Sequence, residues 1–266
     1  MQKNQYVAGA ARRHGGALVF SERDAEGVLE VVDAFGVRSL HFGTSPRQSA
    51  MALDNPERLE LAYVRAMLAA LIFVPVPHRV LLLGLGGGSL ARFLISQFDQ
   101  CSVDAVERRP GVVDIARTYF GLPRDARLSI EVAEAVEHTE SLARVLEAAY
   151  DLILVDAYDH QGMDSSVNAE EFFSACARLL RPTGVVSINL WGSHNASLRQ
   201  STDLLKHCFP GKAYRLPVPN KGNVIGLGLG RELPKPDPVM LLPRAKALEI
   251  QMGIEMPYFL RNLKSL

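Results

Sequence analysis

The stretch VLLLGLGGGSLARFL, residues 80–94, passes from four apolar residues through a glycine cluster into a helical pattern. A loop of this kind follows the first strand of a doubly wound sheet, at the edge where ligands bind. Small residues let the backbone approach a ligand, and the following helix N-terminus offers free N–H groups. No lysine follows the glycines, which excludes a phosphate-binding P-loop. The stretch predicts a nucleoside or dinucleotide site that includes Gly84, Gly86, Gly87 and Gly88.

The chain that follows alternates between apolar runs and helical patterns. Strands are predicted at RVLLLGLG, CSVDAVE, RLSIEVAE, YDLILVDAYD and VVSINLWG, with SLARVLEAA as a helix and RPTG as a turn between them. Such near-continuous apolar strands are typical of a parallel sheet that is covered by helices on both faces. KAYRLPVP and NVIGLGLGR then predict a terminal antiparallel hairpin. The expected fold is therefore α/β, a Rossmann-like doubly wound sheet.

Two further regions flank this sheet. Short apolar runs in residues 17–51 predict a small N-terminal antiparallel β unit. DNPERLELAYVRAMLAALIFV predicts a helix with Asp54 or Asn55 as its N-cap and Pro56 at its first position. A proline-rich connector and short helices complete the chain. The expected domains are residues 1–51, 52–231 and 232–266.

Composition excludes several classes of function. The chain has 29 basic and 29 acidic residues and no basic stripe, which argues against a nucleic-acid partner. Its most apolar stretch, MLAALIFVPVP, is too short to span a bilayer, and its N-terminus lacks the apolar core of a signal peptide. Cys101, Cys176 and Cys208 have neither disulfide nor zinc spacing. We therefore expect a cytoplasmic protein without a metal, a membrane or a nucleic acid as partner.

Two glutamates end predicted strands at the ligand edge of the sheet. Glu107 lies about twenty residues beyond the glycine loop, where a carboxylate can accept both ribose hydroxyls of NAD or of S-adenosylmethionine. Glu134 ends the third strand, where it could accept the adenine amino group or simply be a surface glutamate.

The fourth strand delivers Asp156 and Asp159 to the same edge. An alkylamine has a pKa of roughly 10, judged from lysine, so it arrives protonated and cannot attack. One carboxylate can take that proton while the other anchors the positive charge of the substrate. A metal pair is the other interpretation, supported by His160 alone, and Asp159 could also cap a turn.

Together these segments resemble the spermidine synthase (polyamine aminopropyltransferase) family, which has the fold of S-adenosylmethionine-dependent methyltransferases. The resemblance runs from the β unit to about Arg231 and is carried by GLGGGSLAR, by the VE that ends strand two, and by YDLILVDAYD with EEFFSACARLLRPTGVV. It implies transfer of an aminopropyl group from decarboxylated S-adenosylmethionine to a small amine, with release of methylthioadenosine. It also implies a homodimer.

The resemblance assigns roles to individual residues. It implies that Asp156 is the catalytic proton acceptor and that Glu107 binds the ribose. The other residues that it assigns are Asp159 and Tyr63 for the amine substrate, and Glu134 and Ala135 for the adenine.

Several positions depart from the family pattern, and two of them bear on the choice of substrate. Gly87 stands where the family has an aspartate that holds the aminopropyl ammonium, and Val64 replaces a polar residue. The glycine predicts weaker discrimination between decarboxylated and intact S-adenosylmethionine, and a preference for the decarboxylated form on Gly87→Asp. The alternative function is a methyltransferase that uses intact S-adenosylmethionine. A non-catalytic nucleoside-binding relative is the second alternative, and an NAD-dependent oxidoreductase is a more distant one.

Overall fold

The computed structural model describes residues 13–157, 169–191, 195–219 and 222–266, which contain two β-sheets. A four-stranded antiparallel sheet comprises β1 (Ala17–Asp24), β2 (Gly27–Ala34), β3 (Val37–His41) and β4 (Ser49–Ala52). An eight-stranded sheet comprises β5 (Arg79–Leu83), β6 (Ser102–Glu107), β7 (Leu128–Val132), β8 (Tyr150–Val155), β9 (Leu180–Trp191), β10 (Ala213–Pro217), β11 (Asn223–Leu229) and β12 (Lys264–Ser265).

Helices cover both faces of the larger sheet. They are α1 (Ala62–Met67) with the 3₁₀ turn Leu68–Ile72, α2 (Ser89–Gln97), α3 (Pro110–Tyr119), α4 (Ala135–Val145), α5 (Glu170–Leu179), α6 (Asn195–Cys208), α7 (Pro238–Met252) and α8 (Met256–Asn262). No helix within the described ranges is long and apolar enough to cross a membrane.

The strand order of the larger sheet creates its ligand edge. The order is β12-β10-β11-β9-β8-β5-β6-β7, in which the five strands from β9 to β7 run parallel to one another, β11 is antiparallel to β9, and β10 is antiparallel to β11. From β5 the chain proceeds to one side through β6 and β7 and then returns to the other side at β8. The carboxyl ends of β5 and β8 therefore meet at a topological switch point, the usual ligand crevice of such sheets. This topology confirms the predicted doubly wound sheet with its terminal hairpin.

The apolar strands divide their side chains between two cores. Val80 and Leu82 of β5 face the core that contains α1 and α2, whereas Leu81 and Leu83 face the core beneath α5. This follows from the two-residue period of a strand. Because both faces are buried, a continuous apolar run avoids the cost of burying polar side chains along the strand.

The predicted N-terminal β unit is the four-stranded sheet, and it packs on the larger unit. Leu29, Leu40 and Met51 form one apolar cluster with Ile115 of α3 and with Phe120. At the other end of the chain, buried residues of α7 and α8 join the core beside the 3₁₀ turn. The two-residue strand β12 then pairs with β10, an element that the sequence did not predict.

The predicted helix start at Asp54, Asn55 and Pro56 is wrong. Helix α1 begins at Ala62, after Leu59 has formed a bridge with Met51 of β4. Leu59, which the pattern places inside the helix, is therefore still in an extended conformation and pairs with β4. Tertiary pairing with the small sheet overrides the local N-cap signal.

Two other boundaries differ from the sequence prediction. The RPTG segment is a bulge inside β9, because Tyr150 pairs with Leu180 whereas Leu152 pairs with Val185. Helix α4 covers residues 135–145 instead of 141–149, since the side chain of Glu134 caps it. Glutamate is not among the strongly preferred N-cap residues, which is why the early start was missed.

Candidate active site

A cavity of about 490 Å³ lies at the carboxyl ends of β5, β6 and β8, and the loop between β3 and β4 forms its opposite wall. This volume is within the range of small-molecule sites. Seven residues that the sequence singled out line it together: Tyr63, Gly84, Gly86, Glu107, Glu134, Ala135 and Asp156. Gly87 and Gly88 are not among the lining residues. Asp159 lies outside the described residues.

Gly84 is where the glycine loop crosses the end of β8. Its φ is +92°, a conformation that favours glycine. A Cβ atom there would lie 2.3 Å from the main-chain oxygen of Asp156, and the Asp156 amide donates to the Leu83 oxygen at 2.7 Å. The loop and the carboxylate-bearing residue are therefore held together by main-chain contact.

Gly87 faces the N-terminal sheet instead of the cavity. Its amide donates to Ser49 Oγ at 2.7 Å. A Cβ atom on Gly87 would lie 2.9 Å from Cδ1 of Phe120 and 3.0 Å from Cβ of Ser49. The position that the resemblance aligns with a substrate-binding aspartate is thus filled by the docking of β4 onto the glycine loop.

Asp156 directly follows β8, and its partly buried carboxylate lines the cavity. Oδ1 accepts from Asn189 Nδ2 at 2.8 Å, and Oδ2 accepts from the Tyr63 hydroxyl at 3.2 Å. Burial raises the pKa of Asp156 to about 6, and the hydrogen bonds from Asn189 and Tyr63 oppose that rise. Each carboxylate oxygen keeps a further lone pair, so Asp156 can accept a proton from a ligand in the cavity.

The side chain of Glu107 accepts hydrogen bonds from backbone amides of the glycine loop. Its Oε2 accepts from the amides of Leu85 at 3.1 Å and Gly86 at 3.4 Å, and its Oε1 accepts from the amide of Arg109 at 3.0 Å. Burial raises the pKa of the Glu107 carboxyl above its usual value, although these three amides act in the opposite direction. A carboxylate offers about four acceptor positions, so one remains for a ligand hydroxyl.

Glu134 has a structural role that the sequence did not indicate. Its Oε2 accepts from the amides of Val136 at 2.8 Å and Glu137 at 3.0 Å, which makes it the N-cap of α4. Because Glu134 and Ala135 also line the cavity, the capped helix start forms part of the ligand wall. The adenine contact assigned to them stays a prediction.

The charges of the cavity wall favour a cationic ligand. Arg109 is paired with Asp24 at 2.8 and 2.9 Å, and Arg108 is paired with Glu26 at 2.6 Å. Two of the three lining arginines are thus neutralised by residues of the small sheet, and Arg47 is the third. The lining carboxylates are Glu107, Glu134 and Asp156. No cluster of three His, Cys, Asp or Glu side chains placed to hold a metal occurs in the described part of the chain.

Among the lining residues that sequence reasoning missed, four polar ones come from other parts of the fold. Asn189 and Asn223 lie on β9 and β11, and Gln48 and Ser49 lie where β4 begins. The signal for Asn189 was an amide near the end of the apolar run VVSINLW. No comparable signal marks the other three, because their contacts depend on how the hairpin and the small sheet dock.

The sequence and the fold both match known proteins. Residues 61–220 match the model of the Spermine/spermidine synthase domain. The chain belongs to the spermine/spermidine synthase family. It is 33% identical over 236 residues to the polyamine aminopropyltransferase of Chromobacterium violaceum, with 89% of each chain covered. The family resemblance noted in the sequence is thereby confirmed.

Solved structures agree with this family. A probable spermidine synthase from Corynebacterium glutamicum aligns with a TM-score of 0.71 at 20% identity, covering 89% of this chain and 94% of that one. Human methyltransferase-like protein 13 in complex with SAH aligns with a TM-score of 0.67 at 26% identity, covering 73% and 93%. The first comparison supports the fold alone, and the second relates the same fold to a protein that binds SAH.

The contacts of Gly87 reverse one expectation from the resemblance. We expect Gly87→Asp to destabilise the protein by about 1–3 kcal/mol, because the new side chain must displace Phe120 or Ser49. The variant should therefore lower the thermal midpoint without improving the binding of decarboxylated S-adenosylmethionine. Gly222→Asp is the matched control, since a Cβ there meets nothing within 4 Å and its φ is not in the left-handed region. A Gly87→Asp protein that is as stable as the wild type and binds the decarboxylated donor more tightly would contradict this geometry.

Proposed function

We propose that this member of the spermine/spermidine synthase family transfers an aminopropyl group from decarboxylated S-adenosylmethionine to a small amine. The observation that carries the proposal is the carboxylate of Asp156, which lines the cavity at the switch point of the sheet and is held there by Asn189 and Tyr63; its partial burial raises the pKa to about 6. Such a group has the basicity of a general base that works near neutral pH. The relatives named as aminopropyltransferases support the same reaction.

The reaction requires the protein to align two cations and to remove one proton. In the proposed step, Asp156 accepts a proton from the ammonium of the acceptor. The freed nitrogen lone pair attacks the propyl carbon next to the sulfonium, and the carbon–sulfur bond breaks with its electrons remaining on sulfur. Methylthioadenosine leaves as a neutral thioether. Fixing both reactants in line supplies a large part of the rate.

The electrostatics of the site support cationic reactants. Once Arg108 and Arg109 are neutralised by the small sheet, carboxylates outnumber free arginines along the described wall. A sulfonium and an ammonium are attracted to such a wall, and both are easier to hold there because the carboxylates are shielded from water.

A product assay tests the proposed function directly. Purified protein is offered decarboxylated or intact S-adenosylmethionine with a panel of diamines, and methylthioadenosine is measured. We expect methylthioadenosine with the decarboxylated donor only. Methylation of an amine by the intact donor, without methylthioadenosine, would instead assign a methyltransferase.

Glu107 is proposed to bind the ribose of the donor. Glu107→Ala is expected to weaken methylthioadenosine and S-adenosylmethionine alike by about 1.5–3 kcal/mol, because both carry the same sugar. Calorimetric titration with each ligand measures the loss. Glu131→Ala is the control, since that side chain is 63% exposed. Unchanged affinity for both ligands in Glu107→Ala would refute the assignment.

The oligomeric state and the cellular location of the enzyme are also proposals. We propose a homodimer in the cytoplasm. Exposed apolar side chains on α7, among them Val239, Met240 and Ile250, support an assembly surface. Three free cysteines, two of them buried, support a reducing compartment.

A further inference from the structure

A chain of two amides leads from the edge hairpin to Asp156. Asn223 Nδ2 donates to Asn189 Oδ1 at 2.9 Å, and Asn189 Nδ2 donates to Asp156 Oδ1 at 2.8 Å. Asn189 is 3% exposed and Asn223 is 5% exposed. Water therefore competes little for either hydrogen bond, and each is worth more than on a surface.

The pairing of β9 with β11 places the two amides side by side. Asn223 is opposite Trp191, and Ile225 is opposite Asn189, so the two asparagines are diagonal neighbours on the same face of the sheet. Diagonal neighbours on antiparallel strands are within reach of polar side chains. The hairpin register thus fixes this contact.

The direction of the chain follows from the chemistry of a primary amide. An amide has its acceptor oxygen on one side and its donor nitrogen on the other. Because Asn223 donates to the oxygen of Asn189, the NH₂ group of Asn189 must face Asp156. If Asn189 were turned around, its oxygen would lie against the Asp156 carboxylate at hydrogen-bond distance, which is repulsive when Asp156 is ionised.

We propose that Asn223 is a positioning residue, which acts through Asn189 to keep a hydrogen-bond donor on Asp156 and its carboxylate fixed towards the cavity. The consequence for the aminopropyl reaction rests on the proposed function, whereas the effect on Asp156 itself does not. The site residues expected from the sequence are the glycine loop and the acidic residues at the strand ends. They do not explain why residue 223 has a side-chain amide.

The groups that contact Asp156 determine which other side chains could exchange protons along with it. Tyr63 faces it from α1, Asn189 faces it from β9, and the main chain of Gly84 packs against it from β5. Glu107 and Glu134 line the same cavity but are held by backbone amides. A change at Asn223 therefore reaches Asp156 through Asn189.

The test replaces Asn223 by a residue of similar volume that cannot donate, and by one that only accepts. In Asn223→Leu the donor is lost, and in Asn223→Asp the donor becomes an acceptor that attracts the NH₂ of Asn189. Asn223→Leu is expected to raise the titration midpoint of Asp156 by about one unit, since the NH₂ of Asn189 is no longer held towards the ionised carboxylate. Asn223→Asp should raise it further, because its own negative charge also opposes ionisation of Asp156. Carbon-13 NMR of the carboxyl carbons follows this titration, with Asp156→Asn used to assign the signal.

Activity provides a second and independent measurement. At pH 6, kcat/KM is expected to fall about fivefold in Asn223→Leu, because a one-unit rise from a pKa of about 6 lowers the ionised fraction of Asp156 by that factor, and at pH 9 it should recover most of the loss, because Asp156 is then ionised again. Asn262→Leu is the matched control, since Asn262 also donates from a side-chain amide, to Tyr258 O, but away from the cavity.

The outcomes separate the two proposals. An unchanged Asp156 titration in a folded Asn223→Leu or Asn223→Asp protein overturns the positioning role, whatever reaction is catalysed. A shifted titration in Asn223→Leu supports it, even if the product assay finds no aminopropyl transfer. If leucine prevents folding, Asn223→Ala, which loses the same donor without adding a charge, takes its place.

Discussion

Asp156→Asn is expected to lower turnover by about a hundredfold to ten-thousandfold while it raises the stability of the fold at neutral pH. The loss of turnover follows because an amide cannot accept the proton of the attacking amine. The nucleoside should still bind, since the loop and Glu107 are not changed. The combination of lost activity and gained stability distinguishes a catalytic base from a structural carboxylate.

The sign of the stability change follows from the pKa of Asp156. Burial raises that pKa from 3.8 to about 6, so between these values the folded protein binds more protons than the unfolded chain. Stability is therefore lost as the pH rises from about 4 to about 6, and above that range the fold contains a buried carboxylate anion. Removing the charge should stabilise the fold by about 1–3 kcal/mol at pH 8 and by little at pH 3.

Thermal unfolding and pH profiles measure both parts of this prediction. The wild-type kcat/KM should rise with pH through a midpoint near 6, which is the pKa of Asp156 in the free enzyme. Asp125→Asn serves as the control, because Arg127 holds the pKa of Asp125 below its usual value and its loss should lower stability slightly. Normal turnover of Asp156→Asn, with whichever alkyl donor, would remove Asp156 from the mechanism.

The parts of the site that were predictable are those determined by one strand and its own loop. The glycine cluster follows a buried strand, and Glu107 and Asp156 each end one, so parallel pairing brings all three to the same edge. Such placement requires no knowledge of how distant segments dock. The local pattern and the global topology agree here.

The parts that were not predictable depend on docking across the chain. Ser49 reaches Gly87 from 38 residues away, and Asn223 reaches Asn189 from 34 residues away. Both contacts exist because a separate sheet or hairpin docks against the parallel sheet and its glycine loop. A single sequence shows neither the orientation of that sheet nor its register, so Gly87 was assigned to the ligand although it faces β4.

Gly84→Ala is expected to be the most damaging small substitution in the described site. The new methyl group would lie 2.3 Å from the main-chain oxygen of Asp156, and the residue would also have to adopt a φ of +92°. A main-chain atom at the end of a buried strand cannot move aside as a flexible side chain can. Strain and overpacking together should destabilise the protein by about 3 kcal/mol or more.

Gly253→Ala separates the two causes of this loss. Gly253 also has a positive φ, +66°, but a Cβ there meets nothing within 4 Å, so the control carries conformational strain without a clash. It should lose only about 1 kcal/mol, as expected for a strained helix end. Thermal unfolding of both variants compares their stabilities, and titration of the folded protein with methylthioadenosine compares their affinities for the nucleoside. If Gly84→Ala were as stable as Gly253→Ala and bound the nucleoside normally, the glycine loop and the end of β8 could separate without harm. Asp156 would then owe its position to Asn189 and Tyr63 alone, because the main-chain contact that joins base and loop would have proved dispensable.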